Sequence, residues 1–213
     1  MNDLEKRKYM VESQLKARGI SNKYILKAFE EVPRHRFVPD KEFTLAYADV
    51  AVPIGHGQTI SQPYIIAKML ELLDIQPGDK VLEVGSGSGY AAALISRIAG
   101  RVIAVERVDE LVKKSKDLIA ELKYKNVKIV KADGSIGNIH YQPYDKILVS
   151  AAMPEIPEDM VEQLNPGGVI VAPTGERMHQ KLTKLKKGKE IKVEEHDGCM
   201  FVPVRGKKGF IVD

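Results

Sequence analysis

Apolar positions recur in a helical rhythm at the start of the chain and later alternate between helical and strand-like spacing. Leu4, Val11 and Leu15 fall on one helical face, and Gly19 marks a stop after Arg18. Ser21 is placed to cap a second helix, which turns Ile25, Ala28, Phe29 and Val32 inward before Pro33 ends it. The stretch 34–62 is broken by Pro39, Pro53, Gly55 and Gly57. It also carries Phe37, Val38, Phe43, Tyr47, Val50, Val52 and Ile54 for burial, so it reads as a structured loop region rather than a linker.

Beyond it the pattern predicts helix 64–73, strand 80–84, helix 90–98, strand 102–105, helix 110–122, strand 127–131, strand 146–149, helix 157–164 and strand 169–173. This succession predicts an α/β fold, a mainly parallel sheet with helices on both faces. Residues 181–186, 189–195 and 199–204 read as antiparallel C-terminal strands along one edge of it. One domain is expected over 1–213: an N-terminal helical and loop extension (1–62), a cofactor-binding core (63–175) and the antiparallel strands (176–213).

The core is assigned a cofactor because of the run from Val81 to Tyr90, VLEVGSGSGY, where the first strand turns into a helix. Glycines there let backbone approach a ligand, and the helix start offers unpaired N–H groups. A dinucleotide fingerprint would need glycine at position 90, which is tyrosine, and no Gly-Lys-Ser/Thr follows for a phosphate loop. The glycines fall instead at Gly85, Gly87 and Gly89, with Ser86 between them and Glu83 in the strand before. Glu106, followed by Arg107, ends the second strand near the ~20-residue offset at which an acid meets ribose hydroxyls. Asp133-Gly134 follows the third strand, where it can reach an adenine edge. Three such loops converge on one crevice and favour an adenosyl ligand over a mere tight turn. The arrangement resembles class I S-adenosylmethionine-dependent methyltransferases, Rossmann-like in fold.

Composition narrows the remaining choices. The apolar and charged fractions, 44% and 29%, are those of an ordinary globular chain. No apolar run approaches the ~20 residues that span a bilayer, and MNDLEKRKYM has charges where a signal peptide needs an apolar stretch. A cytoplasmic protein with no membrane partner is expected. The single cysteine, Cys199, excludes an intrachain disulfide, and His56, His140, His179 and His196 lack metal-ligand spacing, so no metal is expected. Net charge is only +4, and the Lys-rich stretches at 181–192 and 207–208 read as a solvated face in preference to a nucleic-acid groove.

For the acceptor, the fourth strand leads into Ser150-Ala151-Ala152-Met153-Pro154, without the Asn/Asp-Pro-Pro-aromatic run of enzymes that methylate base amino groups. Cys199 beside a C-terminal strand reads as a small core residue and not as the thiolate that pyrimidine C5 methylation needs. The segment Gly55-His56-Gly57-Gln58-Thr59-Ile60-Ser61-Gln62-Pro63-Tyr64 closely resembles the signature that precedes the glycine motif in protein-L-isoaspartate O-methyltransferases. The similarity extends through Val32-Pro33-Arg34, Phe37-Val38-Pro39, Tyr47-Ala48-Asp49, the glycine motif, Asp133-Gly134, Tyr144-Asp145-Lys146-Ile147, Leu164-Asn165-Pro166-Gly167-Gly168 and Phe201-Val202-Pro203-Val204.

That resemblance implies methyl transfer from S-adenosylmethionine, leaving S-adenosylhomocysteine, to the α-carboxylate of L-isoaspartyl residues in proteins and peptides. The ester then cyclises to a succinimide, which begins repair; some D-aspartyl residues are also accepted. A carboxylate with a pKa near about 4 is already ionised at neutral pH, so positioning and exclusion of water suffice. The resemblance makes Ser61 the guide of the substrate carboxylate, and Ser61 also reads as the N-cap of helix 64–73. It puts Gln58, Thr59 and Ile60 at the methionine end of the cofactor, and Gln62, Val202, Pro203 and Val204 along a peptide groove. Asp49 is open to two roles, fastening the cofactor or the loop, or making a buried structural hydrogen bond, and His56 reads as a loop residue. The competing enzyme reading is a small-molecule or RNA methyltransferase that shares the cofactor half; a scaffold that binds cofactor without turnover is the non-enzymatic one. A monomer is expected.

Overall fold

A computed structural model describes residues 1–210, so the last three positions of the expected 176–213 segment lie outside the described residues. The N-terminal helix α1 (Asp3–Met10) starts from a capping box on Asn2 and runs on through a π-helical turn, Val11–Leu15, and a 3-10 turn, Lys16–Arg18. Gly19 ends it in the left-handed conformation, as expected. The π turn inserts an extra residue and resets the buried face, so Met10, Val11 and Leu15 are buried whereas Leu4 is about half exposed.

Helix α2 (Lys23–Glu31) is capped by Asn22 and not by Ser21. The Asn22 Oδ1 accepts from the N–H groups of Tyr24 and Ile25, an amide reaching where a serine one residue earlier falls short. Ile25, Ala28, Phe29 and Val32 are buried as predicted, and burying a side chain like Phe29 stabilises the fold by roughly 1.5–3 kcal/mol. In the following loop region Phe37, Val38, Tyr47, Val52 and Ile54 are buried, but Phe43, in the 3-10 turn Asp40–Leu45, and Val50, beyond it, stay exposed. That region closes on a two-stranded antiparallel ribbon, β1 (Val52–Gly55) and β2 (Gln58–Ile60).

The rest is α3 (Pro63–Leu73), β3 (Lys80–Val84), α4 (Tyr90–Ser96), β4 (Arg101–Glu106), α5 (Asp109–Glu121), β5 (Val127–Lys131), β6 (Tyr144–Val149), α6 (Glu158–Glu162), β7 (Leu164–Glu176), β8 (His179–Lys187) and β9 (Ile191–Cys199). The sheet order is β5-β4-β3-β6-β7-β8-β9, parallel from β5 to β7 and antiparallel from β7 to β9. Strand β3 is buried from Val81 to Val84, which is why its sequence shows no alternation: helices cover both faces. The chain leaves β3 toward β4 and β5 and returns on the other side to β6, so a crevice opens beyond the ends of β3 and its neighbours.

Residues 199–204 are not the third antiparallel strand that the pattern predicts. Past Cys199 the chain leaves the sheet and crosses the loop after β6, where Pro203 and Ala152 form an isolated parallel bridge. The Ala152 N–H donates to Val202 O at 2.8 Å, and the Val204 N–H donates to Ala152 O at 2.6 Å. Pro203 cannot donate, so this segment cannot run a regular ladder.

Candidate active site

Between β3 and α4 the glycine loop carries Gly85, Gly87 and Gly89 at φ +80°, +53° and +86°, conformations that strain any residue with a Cβ. The loop folds back on the end of β4: the N–H groups of Gly85 and Ser86 both donate to Val105 O. The Gly87 N–H donates to Glu106 Oε2 at 3.0 Å, and Glu106 Oε1 accepts from Arg107 and Val108 at 2.7 and 2.9 Å. Three donors occupy three of the roughly four lone-pair sites of a carboxylate, leaving about one for a ligand. Gly89 plays a different part. A Cβ there would contact Ser115 and Ile119, so it serves the packing of α4 on α5 and does not line the crevice.

The crevice consists of two adjoining hollows that share Thr59, Gly85, Gly87 and Ser150. The outer cleft, about 820 Å³ of open space, is of small-molecule size. It gathers Gln58, Glu106, Arg107, Gly134 and Val202, Pro203 and Val204 from four separate stretches of chain. His56, in a left-handed turn between Gly55 and Gly57, also reaches this cleft. The inner recess is walled by Ile60, Ser61, Glu83, Ser86, Tyr90 and Phe201.

Electrostatically the recess is the unusual part. Burial pushes the Glu83 carboxyl up to about 8, against a hydrogen bond that Ser150 Oγ donates to Oε1 at 3.0 Å. Glu83 Oε2, Ser86 Oγ and Tyr90 Oη are buried with no hydrogen-bond partner among the described residues. Three orphaned polar atoms around one recess are what a polar ligand end would satisfy.

Asp133 does not reach the cleft wall. Its Oδ1 accepts from Ser135 N at 2.9 Å and its Oδ2 from Lys207 N at 2.9 Å. Burial raises this carboxyl, but donors on Lys207 and Ser135 outweigh burial and leave it below the ordinary carboxylate range. Its neighbours Ala132, Gly134 and Ser135 are the cleft residues. Gly134 lies so close to β3 and β4 that a Cβ would come within 2.7 Å of Val84 Cγ1 and 2.8 Å of Val105 Cγ2.

Ser61 sits between β2 and α3. It does not cap that helix: Gln62 holds the N-cap position without a side-chain hydrogen bond, and Pro63 starts the helix. The cap comes from afar, because Asp49 Oδ1 accepts the Tyr64 N–H at 2.9 Å while Oδ2 pairs with Arg18 at 2.5 Å. The Arg18 guanidinium lies 3.4 Å over the Tyr64 ring. Asp49 thus fastens the loop to Arg18 and to the start of α3 from a part-buried position, and it lines neither hollow. Ser61 is left in the recess wall, with its carbonyl accepting from Arg34 Nη2 at 2.8 Å. Gln62 lines neither hollow, and Val202–Val204 wall the outer cleft, with Val202 O and Val204 N–H engaged by Ala152.

Sequence reasoning missed Ser150, Tyr90 and Arg205 as crevice residues, whereas Phe201, expected with Val202–Val204 along a peptide groove, walls the recess. Ser150 carried a signal, a polar residue at the end of a buried strand beside the crevice; Arg205 depends on where the tail crosses and carried none.

The sequence profile of the protein-L-isoaspartate(D-aspartate) O-methyltransferase family matches residues 5–209. The chain is 48% identical over 213 residues to a protein-L-isoaspartate O-methyltransferase of Petrotoga mobilis, covering 98% of this chain and 100% of that one. It is 44% identical to that of Dictyoglomus thermophilum over 206 residues, 96% of this chain and 93% of the relative. A solved structure described as a protein-L-isoaspartate O-methyltransferase superposes with a TM-score of 0.85 at 29% identity, over 97% of this chain and 67% of the other. A second, from Plasmodium falciparum and in complex with S-adenosyl-L-homocysteine, superposes with a TM-score of 0.80 at 29% identity, over 93% and 98%. With a match that runs nearly end to end, the chain belongs to the protein-L-isoaspartate(D-aspartate) O-methyltransferase family.

Proposed function

We propose that this chain esterifies the α-carboxylate of L-isoaspartyl residues with S-adenosylmethionine as methyl donor, and that Ser61 guides the attacking carboxylate. The observation that carries this reading is the placement of Ser61 in the recess wall beside Thr59, Gly85 and Ser86, where the glycine loop and the β1–β2 ribbon meet. Bound there, the cofactor supplies a methyl carbon already activated on a sulfonium.

The residues present fit such a group. Glu106 and the backbone at Gly134 suit an adenosine end in the outer cleft, with Arg107 and Val204 closing its walls. The orphaned Glu83 Oε2 and Ser86 Oγ suit the charged amino-acid end in the recess, with Gln58, Thr59 and Ile60 over it. No protein base is required, because the acceptor oxygen carries no proton at neutral pH. What the chain contributes is a hydrogen bond from the Ser61 hydroxyl to the acceptor carboxylate, and apolar walls from Ile60 and Phe201 that keep water off it.

Isoaspartyl proteins and peptides are thus the partners, with one catalytic unit over 1–213. We read the chain as a monomer without nucleic-acid or membrane partners, and as cytoplasmic. The β9 edge is exposed and carries Lys192, Glu194 and Glu195, charges that blunt edge pairing. Two of the C-terminal lysines are structural, Lys181 pairing with Glu195 and Lys187 donating to the carbonyls of Val161, Glu162 and Leu164. No helix of the described residues is long and apolar enough to cross a membrane.

Ser61→Ala tests the assignment: turnover on an isoaspartyl peptide should fall far more than cofactor affinity, measured by calorimetry. Unchanged turnover would remove Ser61 from its role.

A further inference from the structure

Arg34 is fully buried at 0% exposure, the largest fully buried side chain in the described structure. It lies in a 3-10 turn, Arg34–Phe37, at the start of the N-terminal loop region. Its Nη2 donates to Ser61 O at 2.8 Å, and the guanidinium carbon stands 4.9 Å from the Tyr90 ring centroid, close enough for the tyrosine to support its charge. Nε and Nη1 have no partner among the described residues. No described carboxylate forms an ion pair with it. Asp49, the acid whose charge it feels, is already shared between Arg18 and the Tyr64 N–H.

A desolvated cation without a counter-ion is strongly destabilising, and one seldom persists unless something uses it. Burial lowers its pKa, yet a guanidinium remains protonated at neutral pH. Arg34 lines neither hollow, but both of its neighbours, Ser61 and Tyr90, line the recess. Its charge therefore stands one residue behind the wall that must receive an anion, in surroundings where screening by water is weak.

We propose that Arg34 is a positioning residue of methyl transfer: it pins the Ser61 carbonyl so that the Ser61 hydroxyl is held toward the acceptor, and its buried charge biases the recess toward an anionic acceptor. The proposal rests on the reading of Ser61 as the acceptor's guide. The two parts separate chemically. Pinning requires a planar donor of the right reach, whereas the bias requires only a positive charge.

The test compares Arg34→Met and Arg34→Lys with the wild-type enzyme, using two competitive ligands: an isoaspartyl peptide and its twin in which the α-carboxylate is a carboxamide. The readouts are the ratio of their affinities with cofactor bound, kcat for the acid peptide, and the thermal midpoint. Arg34→Met should lower the acid-to-amide ratio on the order of ten-fold, whereas Arg34→Lys should keep the ratio within about two-fold and still lose turnover. A merely structural arginine would move the midpoint without moving the ratio. A folded Arg34→Met enzyme with the wild-type ratio overturns the proposal, as does an Arg34→Lys enzyme that loses the ratio. Should the methionine variant fail to fold, the lysine variant decides alone: ratio kept and turnover lowered supports the proposal, and any other result overturns it. Ser61→Ala with undiminished turnover would sink the serine reading by itself and leave the ratio test standing.

Discussion

Glu106 and Gly87 are joined by a hydrogen bond of 3.0 Å from the glycine N–H to the carboxylate, which ties the turn after β3 to the end of β4 in one wall of the outer cleft. The same carboxylate holds the first two N–H groups after β4, at Arg107 and Val108. Glu106→Ala is expected to weaken S-adenosylmethionine binding by about 1–3 kcal/mol, the scale of lost charge-assisted hydrogen bonds. Calorimetric titration checks this; an unaltered dissociation constant would take Glu106 out of the cofactor site.

Glu83 gives a pH-dependence with a definite sign. Its folded pKa, about 8, lies above the 4.5 of a free glutamate, so between these values the folded state holds a proton that the unfolded state has released. Stability with respect to this group is therefore full below about pH 4.5 and declines as pH rises toward 8, by an amount on the order of a few kcal/mol. Glu83→Gln should flatten that decline, measured as the denaturant midpoint across the range, and should weaken cofactor binding. A variant whose midpoints keep the wild-type slope would show that Glu83 is ionised all along.

The Gly134 backbone is wedged against β3 and β4. In Gly134→Ala the new methyl would press on Val84 and Val105, and neither is the end of a long flexible side chain. Overpacking of this kind costs typically about 1–3 kcal/mol, and here it also pushes the cleft floor outward. Both a lower thermal midpoint and weaker cofactor binding are expected; an unchanged midpoint would mean that the strands give way freely.

Asp133 ties the tail to the cleft. Asp133→Ala removes the acceptor of the Lys207 and Ser135 N–H groups and should speed hydrogen exchange at both amides. Because Val202–Arg205 wall the outer cleft, cofactor affinity should fall with it. Normal protection at Lys207 would show that the Ala152 contacts hold the tail alone.

The order of strands and helices was legible because each carries its own periodicity or its own turn residues, and the glycine loop because only glycine tolerates its backbone. Glu83, Glu106 and Gly134 were singled out by position along or just after the strands, which topology then converts into proximity, whereas Ser61 was singled out by the resemblance of its segment to the family signature. What failed depended on partners distant in sequence. Ser61 looks like a helix cap, but Asp49 takes that task through a contact no local pattern announces. The segment 199–204 has strand-like residues, but its pairing is decided by the loop after β6. Arg34 stood in a quoted motif with no hint that it would be buried behind Ser61. Local rules see propensity; they do not see which of two satisfied partners the packed chain selects.

The most direct measurement offers the purified enzyme methyl-labelled S-adenosylmethionine together with an isoaspartyl peptide and, separately, its normal aspartyl twin, and follows label by mass spectrometry. A base-labile ester on the isoaspartyl peptide alone, decaying to a succinimide, is the predicted result. Label that is absent from that peptide, or that resists base on some other acceptor, would contradict the assignment of the acceptor site.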